Sequence, residues 1–142
     1  MYGRTDKFVA MGLLVSASVV LAIAAWLQPA ACGYGTHTQL GLPPCSFLRV
    51  THLPCPSCGL TTCFAYAIRL QFWKAFLANP FGLLAFFGTV SLIPTTIFLL
   101  ARRISFRRIT ENAHFTKVVY VCTACYFTSW VFKLTLMHFA GH

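Results

Sequence analysis

Three apolar stretches of this chain carry no charged side chain: residues 8–27, 81–100 and 118–132. The first two are twenty residues each, which at about 1.5 Å per residue matches a hydrocarbon core of about 30 Å. The third reaches spanning length by running past Lys133 to Phe139, with the lysine near its end and snorkelling to the interface. The sequence therefore predicts three transmembrane helices, at 8–27, 81–100 and 118–139. Pro94 lies inside the second and is expected to kink it, which membrane spans tolerate. A cleaved signal peptide is the alternative for 8–27. Twenty residues exceed an apolar region of roughly 7–15, however, and no Ala-x-Ala site follows, so a retained helix is expected.

Composition narrows the function classes. Of 142 residues, 58% are hydrophobic and 9% charged, against about 25% charged in soluble domains. Asp6 and Glu111 are the only acids, facing eleven Lys and Arg. These charges are few and lie between long apolar runs, a pattern of basic membrane loops and not of a nucleic-acid surface. Paired carboxylates and a Ser-His-Asp set are out of reach with two acids, which removes most hydrolase chemistry. A transporter or channel is disfavoured because no charged or strongly polar pair lies within the spans.

Orientation follows from the basic residues. Residues 101–117 carry Arg102, Arg103, Arg107, Arg108 and Lys117 against Glu111, and the N-terminal tail carries Arg4 and Lys7. Both belong on the cytoplasmic side. The two constraints agree only if the number of spans between them is even, which puts residues 28–80 outside.

That outer segment has two parts. Residues 28–60 are rich in Gly, Pro, Thr and Cys and predict an irregular, anchored loop. Residues 61–78 read as one short amphipathic helix, capped by Thr61 or Thr62 and stopped by Asn79-Pro80. Arg69, Gln71 and Lys74 make it a poor span, so it is expected to lie in the interface, with a re-entrant or fourth spanning helix as the alternative.

Five of the seven cysteines fall in the outer segment, and Cys55-Pro56-Ser57-Cys58-Gly59 is the most informative string. In a zinc knuckle, two such thiolates converge on one ion, with Gly taking a positive φ so that backbone N–H groups face sulfur. Cys45 is the natural third ligand. Cys63 is the expected fourth, with His52, His37 and Cys32 as other candidates. In a redox site, the Cys55–Cys58 pair at a helix N-terminus would gain thiolate character, and Cys32 and Cys45 would have to supply a second pair. Structural disulfides are the plainer reading in an oxidising compartment, although five is an odd number. The second Cys-x-x-Cys, Cys122 and Cys125, lies within the third span and reads as helix packing. Arg69 shares a face with Thr62 and Tyr66 and is expected to point back toward the cysteine turn.

An upstream Cys45, then Cys55-Pro56-Ser57-Cys58-Gly59-Leu60-Thr61, a short helix and Asn79-Pro80 together resemble the bacterial membrane family known as domain of unknown function 2752. The resemblance runs from about Cys45 to Leu100. It implies a bacterial inner-membrane protein and selects Cys45, Cys55, Pro56, Cys58, Gly59, Thr61, Asn79 and Pro80, but it implies no activity. The chain departs from the family pattern at Thr62, where arginine is usual, and at Cys63, where a small residue is usual.

The expectation is thus an all-α integral membrane protein, a single membrane domain over 1–142, with three transmembrane helices and one interfacial helix after a cysteine-rich loop. Its partners would be the lipid bilayer and other membrane proteins, and its cofactor, if any, zinc. The sequence favours an accessory or scaffold component of a membrane or envelope assembly over an enzyme, with a thiol–disulfide oxidoreductase using Cys55 and Cys58 as the rival.

Overall fold

The computed structural model describes residues 3–51, 53–104 and 113–139. Every regular element among them is helical: α1 Arg4–Trp26, a 3₁₀ turn Thr36–Leu40, α2 Ser46–Thr51, α3 Leu60–Ala67, α4 Phe72–Ala78, α5 Pro80–Ala101 and α6 Ala113–Phe139. Three of these, α1, α5 and α6, are long and apolar enough to cross a membrane. They coincide with the three charge-free windows, because a helix satisfies its own backbone polar groups where no water can. Of the basic segment after α5, residues 105–112 lie outside the described residues.

The central span is α5, which packs against α1, α3, α4 and α6. The core joins the C-terminal end of α1 and the first turns of α5 to the short helices: Ala24, Cys63, Phe64, Ala67, Ala75, Ala78 and Phe86. Five of these seven are Ala or Cys, and such small side chains let helix backbones approach closely where hydrophobic driving force is weak. Phe64 fills the remaining gap by meeting Phe86 edge to face at 5.5 Å.

Where the sequence predicts one helix over 61–78, the chain forms two, packed against each other. Leu70 adopts a left-handed φ of 60°. Around it, the Gln71 N–H reaches the Tyr66 carbonyl (3.1 Å) and the Leu70 N–H reaches Ala67 (3.0 Å), the double bond of a Schellman ending. Leucine is a poor residue for that conformation, so no local signal marked the break. Thr62, Cys63, Ala65 and Ala67 are fully buried, so α3 forms the core of the cysteine module.

Arg69 does not point at the cysteine turn. Its guanidinium donates to the carbonyls of Ala24 (3.4 Å), Ala25 (2.9 Å) and Ala65 (2.7 Å). It thereby caps the C-terminus of α1, where cations are favoured by the helix dipole, and fixes the first span to the outer module.

Candidate functional site

The Cys-Pro-Ser-Cys-Gly string forms a tight turn. The Cys58 N–H bonds to the Cys55 carbonyl (2.9 Å), and the Leu60 N–H to Ser57 (3.1 Å). Gly59 then takes φ 82° to enter α3. A side chain there has no room: a Cβ on Gly59 would lie 2.6 Å from the Gly33 carbonyl oxygen, 2.7 Å from that of Ala78 and 2.7 Å from Lys133 Nζ. Two requirements, handedness and space, thus make glycine necessary at this position.

The turn is held from both sides. Asn79, 2% exposed, ends α4 and starts α5. Its Oδ1 accepts from the Gly82 N–H (2.9 Å) as an N-cap, with Pro80 at the first helical position. Its amide NH₂ donates to the carbonyls of Cys58 (3.2 Å) and Pro56 (3.3 Å). From α6, the Trp130 indole N–H donates to the Pro54 carbonyl (2.8 Å), the Tyr126 and Ser57 hydroxyls meet at 3.0 Å, and Ser129 donates to Asn79 Oδ1 (3.2 Å).

Lys133 completes the clamp. The snorkelling expected of it is not found: it is 7% exposed, and its ammonium donates to the carbonyls of Cys58 (2.7 Å) and Ala78 (2.8 Å). The position of α6 explains this. The Phe81 N–H, at the start of α5, bonds to Ser129 Oγ (3.1 Å). The last turns of α6 therefore continue past the N-terminal end of α5 and run alongside the module.

Three thiols meet at the turn. Cys45 lies close enough to Cys55, and Cys55 to Cys58, for each to shift the ionisation of the next. Their environments differ in order along this line. At Cys45 the Leu48 amide outweighs the effect of burial and holds the thiol below its ordinary value, helped by Cys55 and the Phe47 amide. Burial pushes Cys55 up, reinforced by Cys45. Burial also raises Cys58, against the opposing charge of Lys133. Cys45 is thus the most readily ionised of the three, while half-buried Cys55 and buried Cys58 are held as thiols.

Cys63, the expected fourth ligand, stands apart. It is fully buried on α3, with its Sγ packed against Gly82 of α5, and burial pushes it up to about 12. Among the described residues, no group of three or more His, Cys, Asp or Glu is arranged to hold a metal ion. His37 lies in the 3₁₀ turn, and His52 lies outside the described residues. Cys32 is exposed and donates to the Tyr34 carbonyl (3.1 Å). Within α6, Cys125 is exposed and lines a groove between α5 and α6, while Cys122 is half-buried.

Residues 45–93 match the model of one family, described as Protein of unknown function (DUF2752). The DUF2752 match takes in the three converging thiols, both short helices and the first half of α5. It leaves out α1 and α6, although α6 supplies half of the clamp. No curated protein and no solved structure matches the chain. The DUF2752 segment also contains Thr62, where the sequence departs from the family pattern. That hydroxyl is fully buried and pairs with Thr36 at 2.7 Å, which in turn accepts from the Ala30 N–H (3.0 Å). No space is left for an arginine side chain there, and the threonine pair ties the start of the outer loop to α3.

Sequence reasoning missed Lys133, Trp130 and Ser129 as parts of the site, and it selected Asn79 only as a helix stop and through the family resemblance. The signal available for Lys133 was a lone cation without an acid anywhere near it in the chain.

Proposed function

We propose that this small multi-span membrane protein performs thiol–disulfide exchange, with Cys45 and Cys55 as the working couple and Cys58 as a buried third thiol. One observation carries the reading: Cys45, ten residues upstream of the motif, stands directly before α2 with its carbonyl accepting from the Arg49 N–H (3.1 Å), and it lies beside Cys55, so that each shifts the other's ionisation. The basic residues around 101–117 support an extracytoplasmic position for the module, where disulfides persist.

The chemistry balances within the two partners. The Cys45 thiolate attacks one sulfur of a partner disulfide, whose other sulfur leaves as a thiolate and takes up a proton. Cys55 then loses its proton and attacks the Cys45 sulfur of the mixed disulfide, releasing the second partner thiol. The chain's dithiol is oxidised to a disulfide, and the partner disulfide is reduced to two thiols. The reverse steps with a partner dithiol restore the starting state.

The competing proposal is a structural zinc knuckle in an accessory or scaffold protein. Gly59 with its positive φ directly after Cys58 supports it, as does the dense clamp on the turn. The donor set does not: a closed tetrahedral site needs four ligands, and Cys63 is turned away against Gly82.

Alkylation with iodoacetamide across a pH series, read peptide by peptide, separates the two. Cys45 is expected to react first, at a pH below that of an ordinary thiol. Cys55 and Cys58 should follow at higher pH, and Cys63 should react only on unfolding. One metal ion per chain with Cys45, Cys55 and Cys58 all protected would refute exchange in favour of the knuckle.

A further inference from the structure

The segment of chain that carries Cys45 exposes a run of apolar side chains. Between residues 40 and 53, five large hydrophobic side chains are exposed: Leu40, Leu42, Phe47, Val50 and Leu53. Val50 is the extreme, at 81% exposed. None belongs to a span, so hydrocarbon contact of the transmembrane helices does not account for them. Cys45 lies in their midst. Leu42 leads into it through the exposed Pro43-Pro44, and Phe47, whose amide faces the Cys45 sulfur, shares a side of α2 with Val50 three residues on. Arg49 is the only charged residue from 40 to 53.

We infer that this patch is a docking surface for an extended polypeptide segment that carries a cysteine or disulfide among apolar residues. The inference rests on the exchange reading and names its substrate class. Whatever covers the patch during exchange must place a sulfur on Cys45, and a polypeptide does so while burying the apolar side chains around it. A bilayer over the same patch would bury Cys45 and remove the access its chemistry needs. Segments of this kind are exposed in proteins that have not finished folding, where disulfides are still being formed and rearranged.

The test uses the full chain in lipid nanodiscs, with empty nanodiscs as the blank. Two peptides, each with one cysteine activated as a mixed disulfide with thionitrobenzoate, differ only in flanking residues: Leu, Phe and Val in one, Ser, Asn and Gly in the other. Hydroxyethyl disulfide is the small hydrophilic probe. The apolar peptide is expected to react at Cys45 about tenfold faster than the polar one, the rate equivalent of about 1.4 kcal/mol. In the double variant Leu42→Asn, Val50→Asn that advantage should vanish, while the hydroxyethyl disulfide rate stays unchanged. Equal rates for the two peptides, or an advantage that survives the double variant, would overturn the docking surface and leave exchange intact. So would a double variant faster than the parent toward all three probes, because the patch would then be a bilayer seat that shields Cys45. Failure of Cys45 to react with hydroxyethyl disulfide would overturn the exchange reading itself, and this inference with it.

Discussion

Gly59→Ala is expected to cost on the order of 3 kcal/mol or more, enough to open the outer module. Two penalties add. The left-handed φ of 82° costs an alanine about 1–2 kcal/mol. The added methyl would also press on two carbonyl oxygens and an ammonium at 2.6–2.7 Å, and overpacking of a filled site costs about 1–3 kcal/mol more. The Gly33 and Ala78 oxygens are backbone atoms and cannot swing aside. Thermal unfolding in detergent, followed through tryptophan fluorescence in a Trp26→Phe, Trp73→Phe background, reads the loss, since the remaining Trp130 indole is bonded to the Pro54 carbonyl. Gly12→Ala in α1 is the matched control. A Cβ there meets nothing within 4 Å, so this change should be neutral or stabilising by about 0.5–1 kcal/mol. A Gly59→Ala protein that melts with the wild type would mean that the turn is not held between Gly33, Ala78 and Lys133.

Lys133→Met is the second large effect, expected at roughly 2–3 kcal/mol. Methionine keeps the length of the stem and removes the donor. The Ala78 carbonyl, at the end of α4, then loses a 2.8 Å bond, and Cys58 keeps only the Asn79 amide at 3.2 Å. A buried acceptor left without a partner costs about 1–3 kcal/mol, and the wild-type molecule leaves no buried side-chain N or O unsatisfied among the described residues. The loss should exceed that of an exposed lysine such as Lys7, whose replacement stays within about 0.5 kcal/mol. Equal stability for Lys133→Met and the parent, by the same melting assay, would show that the side chain reaches water and does not close the clamp.

The spans were legible because the physics that sets them is one-dimensional. A charge-free run of spanning length has few alternatives, and residues 8–27, 81–100 and 118–139 lie within α1, α5 and α6 but for a terminal residue. The positive φ of Gly59 was legible too, because the turn's needs are written in adjacent residues. What was hidden depended on contacts between distant segments. Nothing in the nine residues between Cys45 and Cys55 dictates that the two thiols approach each other. Lys133 looked like a snorkelling cation because its depth along α6 was judged from the length of its own span. The bond between Phe81 and Ser129 fixes the register of the two helices and places Lys133 beside the module instead. The division of 61–78 turned on Leu70, a leucine where glycine would have announced the break. Arg69 has the right helical spacing to face the cysteines, yet the unpaired carbonyls at the end of α1 draw it the other way.

The exchange account rests on Cys45 and Cys55 forming one couple, and a redox titration tests that directly. The full chain is equilibrated in glutathione buffers of graded potential, quenched in acid, alkylated and mapped by mass spectrometry. The account predicts a single two-electron transition in which a Cys45–Cys55 disulfide forms. That transition should be abolished by Cys45→Ser and by Cys55→Ser and kept in Cys63→Ser. A centre that forms no disulfide at any potential, or a transition that survives Cys45→Ser unchanged, would contradict it.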